Sequence, residues 1–260
     1  MPKVPSKNFG GVEMIRMPAV AGTFYPGDEN ELETMIRDFL DKADVPKLPG
    51  ALKGIIVPHA GYIYSAPVAA YAYKLLSNQK KLILLGPSHH GYFEGLAESG
   101  QEAWNTPLGL TPVYEIGDTH KYPAAHNPEH SLEVQLPFLQ TVLSEFSIAP
   151  VLTGNISPDD GAKLIDNGDF LVVSSDLSHY KPYADAVATD TKTIELIENL
   201  DLDGFLKYGD ACGKTGIAIA IALAKKHRWK IKKLNYANSG DTAGPKTEVV
   251  GYAAFAILEV

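Results

Sequence analysis

Three apolar runs of the chain each end in residues able to bind metals or move protons. "GIIVP" (54–58) leads into His59, within "PHAGY". "LILLGPS" (82–88) leads into His89 and His90, and "FLVVSSD" (170–176) ends on Asp176 with His179 three residues on. Imidazole ligates transition metals and exchanges protons near neutral pH. A single histidine behind a strand is ordinarily a hydrogen-bonded loop residue. Four of the chain's eight histidines in that one context point instead to a shared centre. Two adjacent histidines on a turn point in different directions, so one of His89 and His90 reaches that centre and the other packs beside it. His120, His126 and His227 lack this context and read as surface residues.

Cys212, in "GDACGKTGIAIA", is the only cysteine. It directly precedes a glycine and a helix start, where the positive helix end favours a thiolate. One thiolate with two imidazoles suits Zn(II), Cu or Fe(II). With no second cysteine, a closed structural zinc site of the usual kind is disfavoured. Three protein ligands with open positions form a catalytic or substrate-binding geometry. His130, in "NPEHSLEVQLPF", reads as a residue of a helix cap beside Ser131 or, near the centre, as support for a ligand. Glu133 reads as solvated or as a structural partner. "CGKTG" is not a phosphate loop, because the position five before Gly213 is Tyr208 and no strand precedes it. No Gly-x-Ser-x-Gly elbow of a serine hydrolase occurs.

The elements that must position these residues alternate along the chain. "GDENELETMIRDFLDKA" reads as a helix with Asp28 as N-cap and Glu31 closing the box. Its Leu32, Met35, Ile36, Phe39 and Leu40 form one apolar stripe. "APVAAYAYKLL", "SLEVQLPFLQTVLSEF" (with Pro137 bending it or marking an early turn), "SPDDGAKLI" (capped by Ser157), "YADAVATDTKTIELIENL" and "GKTGIAIAIALAKKH" read as further helices. "GIIVP", "KLILLG", "SIAPVL", "FLVVSSD", "WKIKKLNYA" and "VVGYAAFAILEV" read as strands. Short apolar strands between helices predict an α/β fold with a central mixed, mostly parallel sheet flanked by helices. One domain over residues 16–260 follows, after a loose tail over 1–15. In such sheets ligands bind outside the carboxyl ends of the strands, which is where the histidines fall.

A net charge of −8 over 260 residues argues against a nucleic-acid partner, which needs a clustered basic face. The one basic cluster, "KKHRWKIKK" (225–233), reads as a helix end entering an edge strand, where lysines are expected. A lone cysteine fits a reducing compartment. No signal core and no run of about 18 apolar residues is present. The expectation is a cytoplasmic protein without a membrane partner.

Taken in order, "MPAVAGTFYP", "PHAGYIYSAPVAAYAY", "ILLGPSHHG", "HSLEVQLPFL", "VVSSDLSHY" and "CGKTGI" resemble the MEMO family (mediator of ErbB2-driven cell motility), from about Arg16 to the C-terminus. The resemblance implies the fold of the class III extradiol ring-cleaving dioxygenases, also called LigB-like, which hold Fe(II) with two histidines and a glutamate. It implies His59 and His89 as metal ligands, with Cys212 in place of the carboxylate. It implies His179 as acid-base group, Asp176 holding it or lining the pocket, and His90, His130, Tyr64 and Phe24 around the ligands or substrate pocket. Fe(II) is the implied metal, ahead of Cu or Zn. A soft thiolate for a hard carboxylate changes metal preference and redox behaviour, so ring cleavage does not follow from the fold. Two readings stand open. One is a mononuclear non-haem metal redox protein, an oxidoreductase of dioxygenase type. The other is a non-catalytic module whose crevice takes an anionic peptide or small molecule. Microbial members of the family imply a functional link to a radical-SAM protein and an AMMECR1-like protein.

Overall fold

The computed structural model describes residues 14–117 and 119–260. The tail expected over 1–15 lies almost wholly outside the described residues. Its last residue, Ile15, pairs with Ala103 in a short strand. In chain order the elements are β1 (Ile15–Arg16), α1 (Glu29–Lys42), β2 (Ala51–Val57), α2 (Tyr62–Tyr73), β3 (Lys81–Pro87), β4 (Leu96–Glu98), β5 (Ala103–Thr106), β6 (Gly109–Pro112), β7 (His120–Lys121), α3 (Pro123–His126), α4 (Leu136–Val142), β8 (Ser147–Thr153), α5 (Pro158–Ile165), β9 (Phe170–Ser174), α6 (Tyr183–Glu198), α7 (Leu202–Tyr208), α8 (Lys214–His227), β10 (Lys230–Asn238), α9 (Ser239–Thr242) and β11 (Gly251–Glu259).

One eight-stranded sheet has the order β10-β11-β2-β9-β3-β8-β4-β7. Its centre, β2-β9-β3-β8, is parallel; β11 on one side and β4 on the other run antiparallel to it, and β10 pairs antiparallel with β11. The fold is thus the expected α/β arrangement of a mixed sheet flanked by helices. Buried parallel strands need apolar side chains on both faces. Leu82 and Leu84 of β3 accordingly pack with α1, α2 and α4, and Ile83 and Leu85 with α5 and α8. α8 is apolar all round and buried from Gly216 to Ala224, as a helix sandwiched between layers must be.

Asp28 caps α1 by accepting the Asn30 and Glu31 amides, and Ser157 caps α5. The continuous helix expected over 131–146 is instead a 3-10 turn at Glu133–Gln135 followed by α4. Pro137 sits in the first turn of α4, where its missing N–H costs nothing, and marks the restart. Ser131 is no cap: it is buried and donates its hydroxyl to the Pro87 carbonyl (3.0 Å). A second sheet, β1-β5-β6, was not indicated by any strand pattern in the sequence.

Candidate metal centre

The site stands at the carboxyl ends of three adjacent parallel strands. β9 lies between β2 and β3. His59 and His89 each follow the last residue of their strand by two positions, and Asp176 does the same on β9. The parallel register, Val57 opposite Ser174 and Leu85 opposite Val173, brings the three to within about one residue of one level. Cys212 comes from the loop before α8, and that loop is pinned to the β9 tip. The Cys212 amide donates to the Asp176 carbonyl (3.2 Å), and the Gly213 amide to the Ser175 hydroxyl (2.9 Å). A Cβ at residue 213 would lie 2.6 Å from the Ser174 carbonyl oxygen, so glycine is what lets the loop approach.

His59, His89 and Cys212 each offer a ligand atom, and these atoms all lie within 4.8 Å of one another. Cys212 Sγ is 3.1 Å from His59 Nε2. An ion about 2.0–2.3 Å from each donor holds donors roughly 3.3–3.8 Å apart, so the set is close to what one ion spans. Three histidines of this region have a hydrogen-bond partner at Nδ1. His59 Nδ1 meets Ser174 Oγ (2.8 Å), His89 Nδ1 meets Glu129 Oε1 (2.9 Å), and His179 Nδ1 meets the Leu177 carbonyl (2.8 Å). Two imidazoles and one sulfur with their outward nitrogens engaged are a donor set that fits a transition metal.

Burial lowers the pKa of His59, and the neighbouring His130 and His89 add to it. His89 is displaced upward by its hydrogen bond to Glu129. His130 drops to about 4, chiefly through burial. Burial pushes Asp176 up to about 6, against the His59 amide that donates to it (2.7 Å). Burial opposes ionisation of Glu129, but the His89 ring and the His89 and Ser131 amides outweigh it and hold the carboxyl well below the usual range. The thiol departs from expectation. Cys212 lies ahead of the first turn of α8, and burial, with the Asp176 carboxylate, pushes it up to about 12. A bound cation is what would draw its proton off.

The remaining expected residues divide. Phe24 packs on His130, with ring centroids 4.8 Å apart, and His130 stacks on His89 at 4.7 Å. Tyr64 is partly buried against the core that includes α2. His90 is exposed and outside the group. His120 and His227 are exposed as expected, but His126 is not: it is fully buried, with Nε2 donating to the Ala97 carbonyl (2.9 Å) beneath the Trp104 ring. Glu133 is a buried structural partner, ion-paired to Arg16 (2.6 Å) and accepting from Tyr25 (2.6 Å).

Sequence reasoning missed Glu129, Ser174 and Gln135. All three are buried. Glu129 also lies near His89 and His130 as a second group of possible ligands, but its oxygens already accept from the His89 ring, the His89 amide and the Ser131 amide.

A family model described as "Memo-like protein" matches residues 16–256. The chain belongs to the MEMO family. It is 37% identical to a MEMO1 family protein of Nitrosopumilus maritimus over 94% of this chain and all of that relative. MEMO1 family proteins of Methanopyrus kandleri and Saccharolobus solfataricus are also 37% identical, each over 93% of this chain and 98% of the relative. The matched span contains every residue of the MEMO site described above. No helix among the described residues is long and apolar enough to cross a membrane.

Proposed function

We propose that this MEMO-family chain is a metal-binding redox protein with a mononuclear non-haem centre. His59, His89 and Cys212 hold the ion, iron(II) ahead of copper or zinc. The observation that carries the reading is the convergence of two imidazoles and the only sulfur of the chain's cysteine set from three separate segments, within 4.8 Å. When bound, the ion supplies Lewis acidity and electron transfer. The protein's own groups do the rest. His179 donates Nδ1–H to the Leu177 carbonyl, which only accepts, so Nε2 is the ring nitrogen left to exchange a proton with a bound molecule. Asp176 sits between His59 and the Cys212 loop and sets the field at the thiol. Phe24 and His130 wall the site beside His89. The crevice takes a small molecule or peptide segment, in a cytoplasmic protein linked in function to radical-SAM and AMMECR1-like partners.

The test is metal content after purification without oxygen, for the wild type beside Cys212→Ser and His59→Ala. The expected result is about one iron per chain in the wild type and loss of it in both variants. A wild type that stays empty, or variants that bind equally well, would overturn the reading and leave the crevice as a binding site for an anionic peptide or small ligand.

A further inference from the structure

The outward ring nitrogen of His59, Nδ1, is supported by uncharged side chains alone, and their hydrogen-bonding rules decide where the ring proton sits. The Gln135 side-chain nitrogen lies 3.0 Å from the Pro58 carbonyl, 2.8 Å from Ser174 Oγ and 3.4 Å from the Ser131 carbonyl. Carbonyls only accept, so the amide must present its NH2 group here. Its oxygen then accepts from the Tyr73 hydroxyl (2.7 Å). Ser174 Oγ therefore accepts a hydrogen bond from Gln135. The single proton of Ser174 goes to the Ser131 carbonyl, 2.6 Å away, which again only accepts. What remains on Ser174 Oγ is a lone pair, and it faces His59 Nδ1 at 2.8 Å.

We infer that Ser174 and Gln135 are positioning residues that fix His59 as its Nδ1–H tautomer, so that Nε2 meets the centre as a lone pair. Gln135, Ser174, Ser131 and Tyr73 are all within 1% of complete burial, so water does not compete for these bonds. Neither side chain touches an ion in this arrangement; each acts through His59. Ser174→Ala removes the acceptor of Nδ1–H. The proton is then free to settle on Nε2, where it blocks ligation. The consequence for metal rests on the function proposed above; the tautomer does not.

The experiment uses the full chain with 15N-labelled histidine. Long-range 1H–15N spectra of the metal-free protein identify which ring nitrogen carries the proton, and a titration with Co(II) reads affinity. The wild type is expected to hold Nδ1–H at His59. Ser174→Ala is expected to populate Nε2–H and to bind Co(II) 10–100-fold more weakly, about the effect of losing such a support. Ser174→Thr, which keeps the hydroxyl, is expected to restore both. Thermal melts establish that each variant is folded. A wild-type His59 carrying Nε2–H overturns the inference without any variant, and so does a Ser174→Ala protein that keeps Nδ1–H and full affinity. Nδ1–H in a wild type that binds no Co(II) removes the metal reading and leaves the tautomer assignment standing. Tight Co(II) binding with Nε2–H in the metal-free protein removes the tautomer assignment alone.

Discussion

His59 and His89 follow the ends of β2 and β3 by the same two residues, and the amide of each donates to a buried carboxylate, yet the supports of their rings share no chemistry. His89 leans on a buried carboxylate, Glu129, which accepts from both its ring and its amide. His59 leans on a hydroxyl held by an amide. The exposures differ too: His89 is solvent-exposed and His59 is 2% exposed. The difference follows from the cost of burying charge. Asp176 already places one carboxylate against the His59 amide, beside a cysteine that must ionise to bind metal. A second buried anion there would have no cation to meet it. On the His89 side the buried carboxylate meets the His89 ring itself, and Arg16 holds the backbone around it. Arg16 donates to the Glu129 carbonyl (2.6 Å) and the His126 carbonyl (2.9 Å), pairs with Glu133, and lies over the Trp104 ring at 4.2 Å.

Arg16 is the buried cation that holds the backbone on the His89 side, and removing it should be the most damaging change. Arg16→Met leaves Glu133 buried and unpaired, with only the Ala19 and Val20 amides and the Tyr25 hydroxyl to hold it. Breaking one partner of a buried pair costs about 3–5 kcal/mol. Urea unfolding at neutral pH is expected to show a loss of that size. A loss below about 1 kcal/mol would mean that the cation is dispensable and that the backbone carrying Glu129 is held without it.

Acid probes the same region by a second route. His126 uses Nε2 to donate to Ala97, and its buried Nδ1 has no partner among the described residues. Burial lowers its pKa from 6.5 to about 4, and Arg16 adds to the effect. The unfolded chain takes a proton below pH 6.5 that the folded chain refuses until about pH 4. Stability from this group is therefore complete above pH 6.5, falls as pH drops through that window, and falls no further below it. The span corresponds to roughly 3 kcal/mol. The measurement is the slope of unfolding free energy against pH, wild type minus His126→Gln. Equal slopes between pH 6.5 and 4 would place that acid sensitivity elsewhere.

The contrast also explains what could be read from the chain. Strand tips are legible because a parallel strand buried on both faces is a continuous apolar run, and "GIIVP", "LILLG" and "FLVVS" end where the histidines and Asp176 begin. Most of the segment between His90 and His130 is not legible. Its strands have two to four residues, too few for a period to show. Glu129 is separated by 40 residues from the histidine it holds, and nothing in local spacing links them. His126 sits on a four-residue helix that gives no pattern of burial. Ser174 and Gln135 do leave a trace. Gln135 is a lone polar residue inside the apolar stretch "VQLPF", where a buried polar side chain must have partners, and Ser174 is the first polar residue where "FLVV" ends. The Cys212 thiol misleads for a physical reason: proximity to a helix start suggests ionisation, whereas burial decides it.

The smallest change that still tests the comparison is Glu129→Gln. The side chain keeps its shape and keeps one oxygen. That oxygen can take the position that accepts from the His89 ring and the Ser131 amide, both 2.9 Å away. Its NH2 group then faces the His89 amide, where two donors oppose each other. The carboxylate's charge, which makes the imidazole a better donor to a metal, is gone. Co(II) affinity is expected to fall 10–100-fold, while the melting temperature moves less than in Arg16→Met because no buried charge is orphaned. Binding within twofold of wild type, alongside abolished binding in His89→Ala, would show that His89 needs only a hydrogen-bond acceptor. The charged and neutral supports would then be interchangeable, and burial alone would separate the two histidines.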